Sequence, residues 1–190
     1  MSKGLERPVS GGRWLAIPFL FFVSGAAGLV YEVVWMRLLA GVFGATVLAR
    51  STVLAAFMGG LALGSYLFGR VADRVSRPLT VFSGLQVGIG LVSLVVPLLV
   101  RFAERAYPGL PDAFRDSFWL LSLARFAWCG LIILLPTTLM GGTLPVLSRW
   151  ITARGADVGK GVGALYSINT FGAVLGTMAG GFFLIPRLGL

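Results

Sequence analysis

Five stretches of the chain hold the roughly 20 mostly apolar residues that an α-helix needs to cross about 30 Å of hydrocarbon. The first lies within Trp14 to Met36 and the second within Ser51 to Gly69. The third runs from about Leu79 to Val100 with Pro97 near its end, the fourth lies inside Phe118 to Leu147, and the fifth covers about Val162 to Ile185. The intervening pieces are short except for Arg101 to Ser117, where clustered charges and Pro108 and Pro111 predict a surface loop or an interfacial helix. The pattern therefore predicts an all-α membrane protein, with a cytoplasmic tail over residues 1–13 and five transmembrane helices over 14–190. A secretory signal peptide would also place Lys3, Arg7 and Arg13 ahead of an apolar stretch, but apolar sequence continues to Leu39, longer than a signal needs.

Composition agrees with the pattern: 57% of residues are hydrophobic and 12% charged, against about 25% charged in soluble chains. There is no histidine, and the single cysteine, Cys129, cannot form an internal disulfide or a cysteine-rich metal site. No catalytic residues, metal or cofactor are expected. A net charge of +9 in a soluble protein would point to nucleic acid, but here most basic residues stand beside span ends. No nucleic-acid partner is expected. Lys3, Arg7, Arg13, Arg70, Arg74, Arg77, Arg149, Arg154 and Lys160 fall on one side; Arg37, Arg50, Arg101, Arg105, Arg115 and Arg187 fall on the other, with Arg125 near a membrane edge. That excess places the N-terminus in the cytoplasm, in a membrane of the bacterial inner (plasma) type. Trp14 and Trp150 fall at expected inner ends and Tyr31, Trp35 and Trp119 at outer ends, as an aromatic belt requires.

Helices in lipid associate by close packing, and small residues permit it. The second span offers Gly60, Gly64 and Gly69, and the fifth Gly172, Gly176, Gly180 and Gly181. Written side by side, FMGGLALGSYLFGRVADR and FGAVLGTMAGGFFLIPRLG share an aromatic start, spaced glycines, an apolar end and an arginine. They take the second place in successive three-span units that cross in opposite directions, which is the form of an inverted repeat. A sixth span is expected after Leu190 if each unit has three.

After the second span, Gly69, Asp73, Arg74 and Arg77 resemble the loop signature of the major facilitator superfamily, Gly-x-x-x-Asp-Arg-x-x-Arg. Asp73 with the two arginines can form charge-assisted bonds across the turn or to a helix end. The glycines of the fifth span resemble that superfamily's glycine-rich fifth helix, with Thr177 where a proline is usual. The strings SGAAGLVYEVVWMRLL, VLAAFMGGLALGSYLFGRVADR, LLPTTLMGGTLPVLSRW and LYSINTFGAVLGTMAGGFFLIPRLGL, in that order, resemble the membrane portion of fused facilitator and spermidine-synthase-like proteins. The resemblance implies most of one six-helix half of a facilitator bundle. It also implies a link to polyamines. No glycine-rich nucleotide loop after a strand is seen, so the chain is expected not to be an enzyme.

Within this frame Glu32 and Arg125 are cavity or gate candidates, because facilitator first and fourth helices face a central cavity. Otherwise Arg125 snorkels to the headgroups and Glu32 bonds Arg37 on its own helix. Tyr166 and Asn169 either line the cavity or act as interhelical glue. Pro136 and Pro145 mark a helix break, with Thr137, Thr138 and Thr143 placed to satisfy the freed carbonyls. The expected function is a transporter-like module for a small cationic, polyamine-like metabolite, completed by a second copy or another membrane subunit. A noncatalytic membrane scaffold or anchor in a larger complex is the alternative.

Overall fold

A computed structural model describes residues 11–43, 47–106, 118–153 and 157–189. Among them there are five long helices: α1 (Gly11–Phe43), α2 (Val47–Ala72), α3 (Pro78–Ala106), α4 (Phe118–Thr152) and α5 (Val158–Ala179). The last continues through a π-helical turn, Gly180–Leu184, into a final α-helical turn, α6 (Ile185–Leu188). All five carry a span long and apolar enough to cross a membrane, which fits an integral membrane protein in a lipid bilayer. The helices run past the apolar limits at several ends. Arg101 to Ala106 form the end of α3, so the first part of the stretch expected as a loop or an interfacial helix is helical; residues 107–117 lie outside the described residues, as do 1–10 of the expected tail.

The buried side chains gather in two clusters that show how the helices alternate. One joins Ile17 and Phe21 early in α1, Ala72 at the end of α2, Phe82 and Leu85 early in α3, Val146, Leu147, Trp150 and Ile151 late in α4, and Leu165 early in α5. The other joins Trp35 and Leu39 late in α1, Val53 and Phe57 early in α2, Val96 and Val100 late in α3, and Ile132 and Ile133 in α4. Successive helices are therefore antiparallel, and alternate ones parallel. Trp35 and Trp150 belong to these clusters at 2% and 4% exposure, so they are core residues and not part of an aromatic belt. Trp119, at 79%, stays outside. Large apolar side chains also cover the outer surface, including Phe19, Leu94, Leu131 and Phe182, as befits a bundle solvated by lipid.

Between the clusters the parallel pairs α2 with α4 and α1 with α5 make the two most extensive contacts. Each is a backbone-to-backbone crossing. A Cβ on Gly64 would strike the Thr138 carbonyl, and one on Gly141 the Leu61 carbonyl. In the second pair a Cβ on Gly172 would strike the Phe22 carbonyl, and one on Gly25 the Asn169 carbonyl. The two crossings share one register: in each, the second glycine–carbonyl contact is displaced by three residues on both helices relative to the first. Gly60 faces Thr137, Gly176 the Ala26 carbonyl, and Gly180 Val30 and Val33 at ordinary contact distance. Gly69 and Gly181, grouped with them on spacing, face open space. Gly181 is the next residue after the buried Gly180 and so points to another side of the helix.

We expect Gly64→Ala and Gly172→Ala each to lower stability by about 1–3 kcal/mol, because the added methyl must push two backbones apart. Gly69→Ala, with nothing to meet, should be neutral or stabilising by about 0.4–1 kcal/mol. Thermal unfolding in mild detergent reads the contrast.

Candidate functional site

The proline-bearing helix α4 shows how the polar groups of the bundle are used. A proline at 145 has no N–H for the carbonyl four residues back, which leaves the Gly141 oxygen without its helical partner. Ser65 on α2 donates its hydroxyl to that oxygen at 3.0 Å, at the crossing where Gly141 lies against Leu61. The repair therefore comes from the neighbouring helix. Thr137 donates to the Ile133 and Leu134 carbonyls at 2.7 and 3.2 Å, Thr138 to Leu134 at 2.6 Å and Thr143 to Met140 at 2.7 Å. None of these is the Ile132 or Gly141 oxygen that the two prolines release. The expected break at Pro136 and Pro145 is not present: α4 is continuous from Phe118 to Thr152, and Pro136 is fully buried. Interhelical packing and hydroxyl bonds hold the turns on either side.

Glu32 is buried at 6% exposure on α1, close to Trp35 of the core. It makes no hydrogen bond or ion pair with a described residue. Arg37, five positions on, is exposed and too far round the helix to pair in the i,i+4 manner. The side chain of Arg125 lies outside the described residues, so the expected pairing with Glu32 does too. Asn169 donates its side-chain N–H to the Phe21 carbonyl at 2.9 Å, which makes it a bond between α5 and α1. Tyr166 is 60% exposed on the outside of α5. The candidates thus do not converge: Glu32 is interior, Asn169 bridges two helices and Tyr166 faces outward.

A groove of about 370 Å³ lies between α1 and α3, with Met140 of α4 at its floor. Its polar groups are Ser24, Tyr31, Ser83 and Gln86 among apolar neighbours such as Leu20, Phe82 and Val87. Ser24 donates to the Gln86 amide oxygen at 3.2 Å, which leaves the amide N–H group free to point elsewhere. Small-molecule sites have this size and this sparse polarity. Sequence reasoning passed over Gln86, although an amide in the middle of an apolar span is costly without a partner and was a usable signal. Tyr31 stacks on Trp35 with ring centroids 5.5 Å apart, which ties the groove's edge to the core beside Glu32.

The four residues of the loop signature are spread out. Asp73, Arg74 and Arg77 are exposed, and no ion pair or side-chain hydrogen bond joins them among the described residues. Backbone bonds close the turn instead, from the Arg74 and Val75 amides to the Val71 and Ala72 carbonyls. Just before it, the Arg70 guanidinium lies 3.6 Å from the Tyr66 ring centre, one helical turn back on α2.

Compared with known proteins, the chain is 29% identical over 99% of its length to the polyamine aminopropyltransferase of Corynebacterium efficiens, covering 34% of that protein. It is 28% identical over 94% of its length to polyamine aminopropyltransferase 2 of Streptomyces coelicolor, covering 30% of it. A third relative, the polyamine aminopropyltransferase of Mycobacterium tuberculosis, is 26% identical over 94% of the chain and covered to 32%. The chain thus spans about a third of the length of the curated relatives it matches. No protein-family model and no solved structure matches it. These names correct one expectation. The chain was expected not to be an enzyme because it shows no nucleotide loop, yet the relatives it matches carry an enzyme's name.

The Ser65 bond gives a direct test of the repair at Pro145. Ser65→Ala should cost about 0.5–1.5 kcal/mol, and restoring the carbonyl's helical donor with Pro145→Ala in the same chain should recover most of it. A double-mutant cycle in thermal unfolding measures this coupling.

Proposed function

We propose that the chain is a transporter-like membrane module of the facilitator type, which handles a small cationic metabolite of the polyamine class. The observation that carries this reading is similarity, over nearly the whole chain, to proteins named polyamine aminopropyltransferase. Physical support comes from Glu32, a buried carboxylate with no partner among the described residues. A carboxylate in the membrane interior is costly alone and favourable beside a cation, so a polyamine ammonium group supplies what Glu32 lacks. The neighbouring Tyr31, at the edge of the groove, adds a ring on which an alkylammonium group can rest.

The matched crossings of α2 with α4 and α1 with α5 support reading α1 to α3 and α4 to α5 as two inverted units. In a facilitator arrangement such units form one half of a cavity, so a second copy or another membrane subunit completes it. The N-terminus then lies in the cytoplasm, and the Gly69 to Arg77 turn stands at the inner face.

Spermidine should stabilise the purified chain against heat in mild detergent, by about 2.7 kcal/mol at a hundredfold excess over its dissociation constant. Glu32→Gln should abolish that gain while folding normally, and Glu32→Asp should keep part of it. An unchanged response in Glu32→Gln, or none in the parent chain, refutes the assignment.

A further inference from the structure

A second cavity, of about 300 Å³, lies where the turn before α3 meets the end of α4. Its polar lining is Ser76, Arg77 and Thr80 on one side and Arg149 with Trp150 on the other, and among the described residues no carboxylate contributes to it. Two guanidinium groups therefore share a pocket to which no described residue brings a counter-charge. The Arg149 Nε is buried and has no hydrogen-bond partner among the described residues. Ser76, Arg77 and Thr80 likewise make no side-chain hydrogen bond with a described residue. The nearby Asp73 is exposed and outside the lining, and Asp157 is engaged with Lys160 at 3.9 Å.

Leaving the buried Arg149 Nε–H unpaired is unfavourable, and a ligand that accepts hydrogen bonds and carries negative charge removes the deficit. The α3 N-terminus and the α4 C-terminus contribute partial charges of opposite sign, which offset each other here. The two arginines thus set the sign of the site. Planar guanidinium forks match tetrahedral phosphate oxygens well, and the two hydroxyls supply further donors. Depth selects the setting: the apolar spans of α2, α3 and α4 end at Ala72, begin at Pro78 and end at Thr152, so the pocket stands at headgroup level.

We propose that this pocket binds a phosphate group, held by Arg77 and Arg149 with Ser76 and Thr80, and that an anionic membrane phospholipid supplies it. The site needs the membrane setting but is independent of the polyamine reading, so Glu32→Gln should leave it intact.

The test uses the full chain, purified in mild detergent and stripped of lipid, with thermal stability followed against added phosphatidylglycerol, phosphatidylcholine or inorganic phosphate. Phosphatidylglycerol should raise the melting temperature at concentrations where phosphatidylcholine does not. Arg149→Gln and Arg77→Gln should each weaken its apparent affinity about tenfold, the loss of one charge-assisted contact. Lys160→Gln, which removes an 88% exposed charge away from the pocket, should not. Arg77 is exposed, so its variant keeps the test readable if Arg149→Gln fails to fold. Stabilisation by inorganic phosphate that depends on both arginines supports the phosphate site and assigns it to the free ion. Equal responses to both lipids, or arginine variants that behave like Lys160→Gln, overturn the site.

Discussion

Close approach of two backbones is the constraint from which the arrangement of the bundle follows. Apolar side chains gain nothing by leaving lipid for one another, so what holds parallel helices together is contact that lipid chains cannot imitate. At the α2–α4 crossing, Gly64 lies under the Thr138 carbonyl and Gly141 under the Leu61 carbonyl; at the α1–α5 crossing, Gly172 lies under Phe22 and Gly25 under Asn169. Glycine on both partners lets each helix present a Cα hydrogen to the other's carbonyl oxygen, a weak but repeated attraction. With the two pairs fixed in this way, the clusters around Trp35 and around Trp150 are placed at opposite ends of the helices. Polar side chains then reinforce the same contacts. Ser65 reaches Gly141 in one pair and Asn169 reaches Phe21 in the other.

The spans were legible because membrane crossing imposes a length and a composition that few other structures share. The glycine series was legible for a related reason, since Gly60, Gly64, Gly172 and Gly176 recur at the four-residue spacing of one helix face. Register was not. Aligning the segments on Phe57 and Phe171 sets Gly60 beside Val174, whereas the shared contact geometry equates Gly64 with Gly172 and Leu61 with Asn169. An aromatic residue at the start of a span is interchangeable with many others, while a glycine under a carbonyl is not. Half of each contact also lies on the partner, at Gly25 and Gly141, and a one-dimensional pattern does not say which helix a glycine faces.

Polar candidates were less legible for the same reason. The prolines of α4 announce a lost hydrogen bond, but the group that answers one of them, Ser65, stands 76 residues before the Gly141 carbonyl it satisfies. Charges near span ends read as solvated residues, and most are. Arg149 differs only because the end of α4 meets the turn before α3, which buries its Nε beside Arg77. Tryptophans at span ends suggested a headgroup belt, yet a large ring also fills space where helices diverge, and Trp35 and Trp150 do that. Gln86 owes its importance to Ser24 across the groove, a pairing that no local pattern encodes.

The common register of the crossings also makes their difference informative. It equates Gly25 with Gly141 and Phe22 with Thr138, and by the same offset Leu20 with Pro136 and Val23 with Leu139. Pro136 is fully buried, and Leu139 packs toward Gly88, because α3 lies extensively on α4. Leu20 and Val23 are 51% and 44% exposed, because α3 reaches α1 far less. A soluble protein would be destabilised by such an open apolar flank through the cost of hydrating it. In a bilayer that cost vanishes, so the two crossings can be equally tight while only one of them is flanked by a third helix. Their stability then rests on the crossings themselves, and the groove beside α1 stays open without loss to the fold.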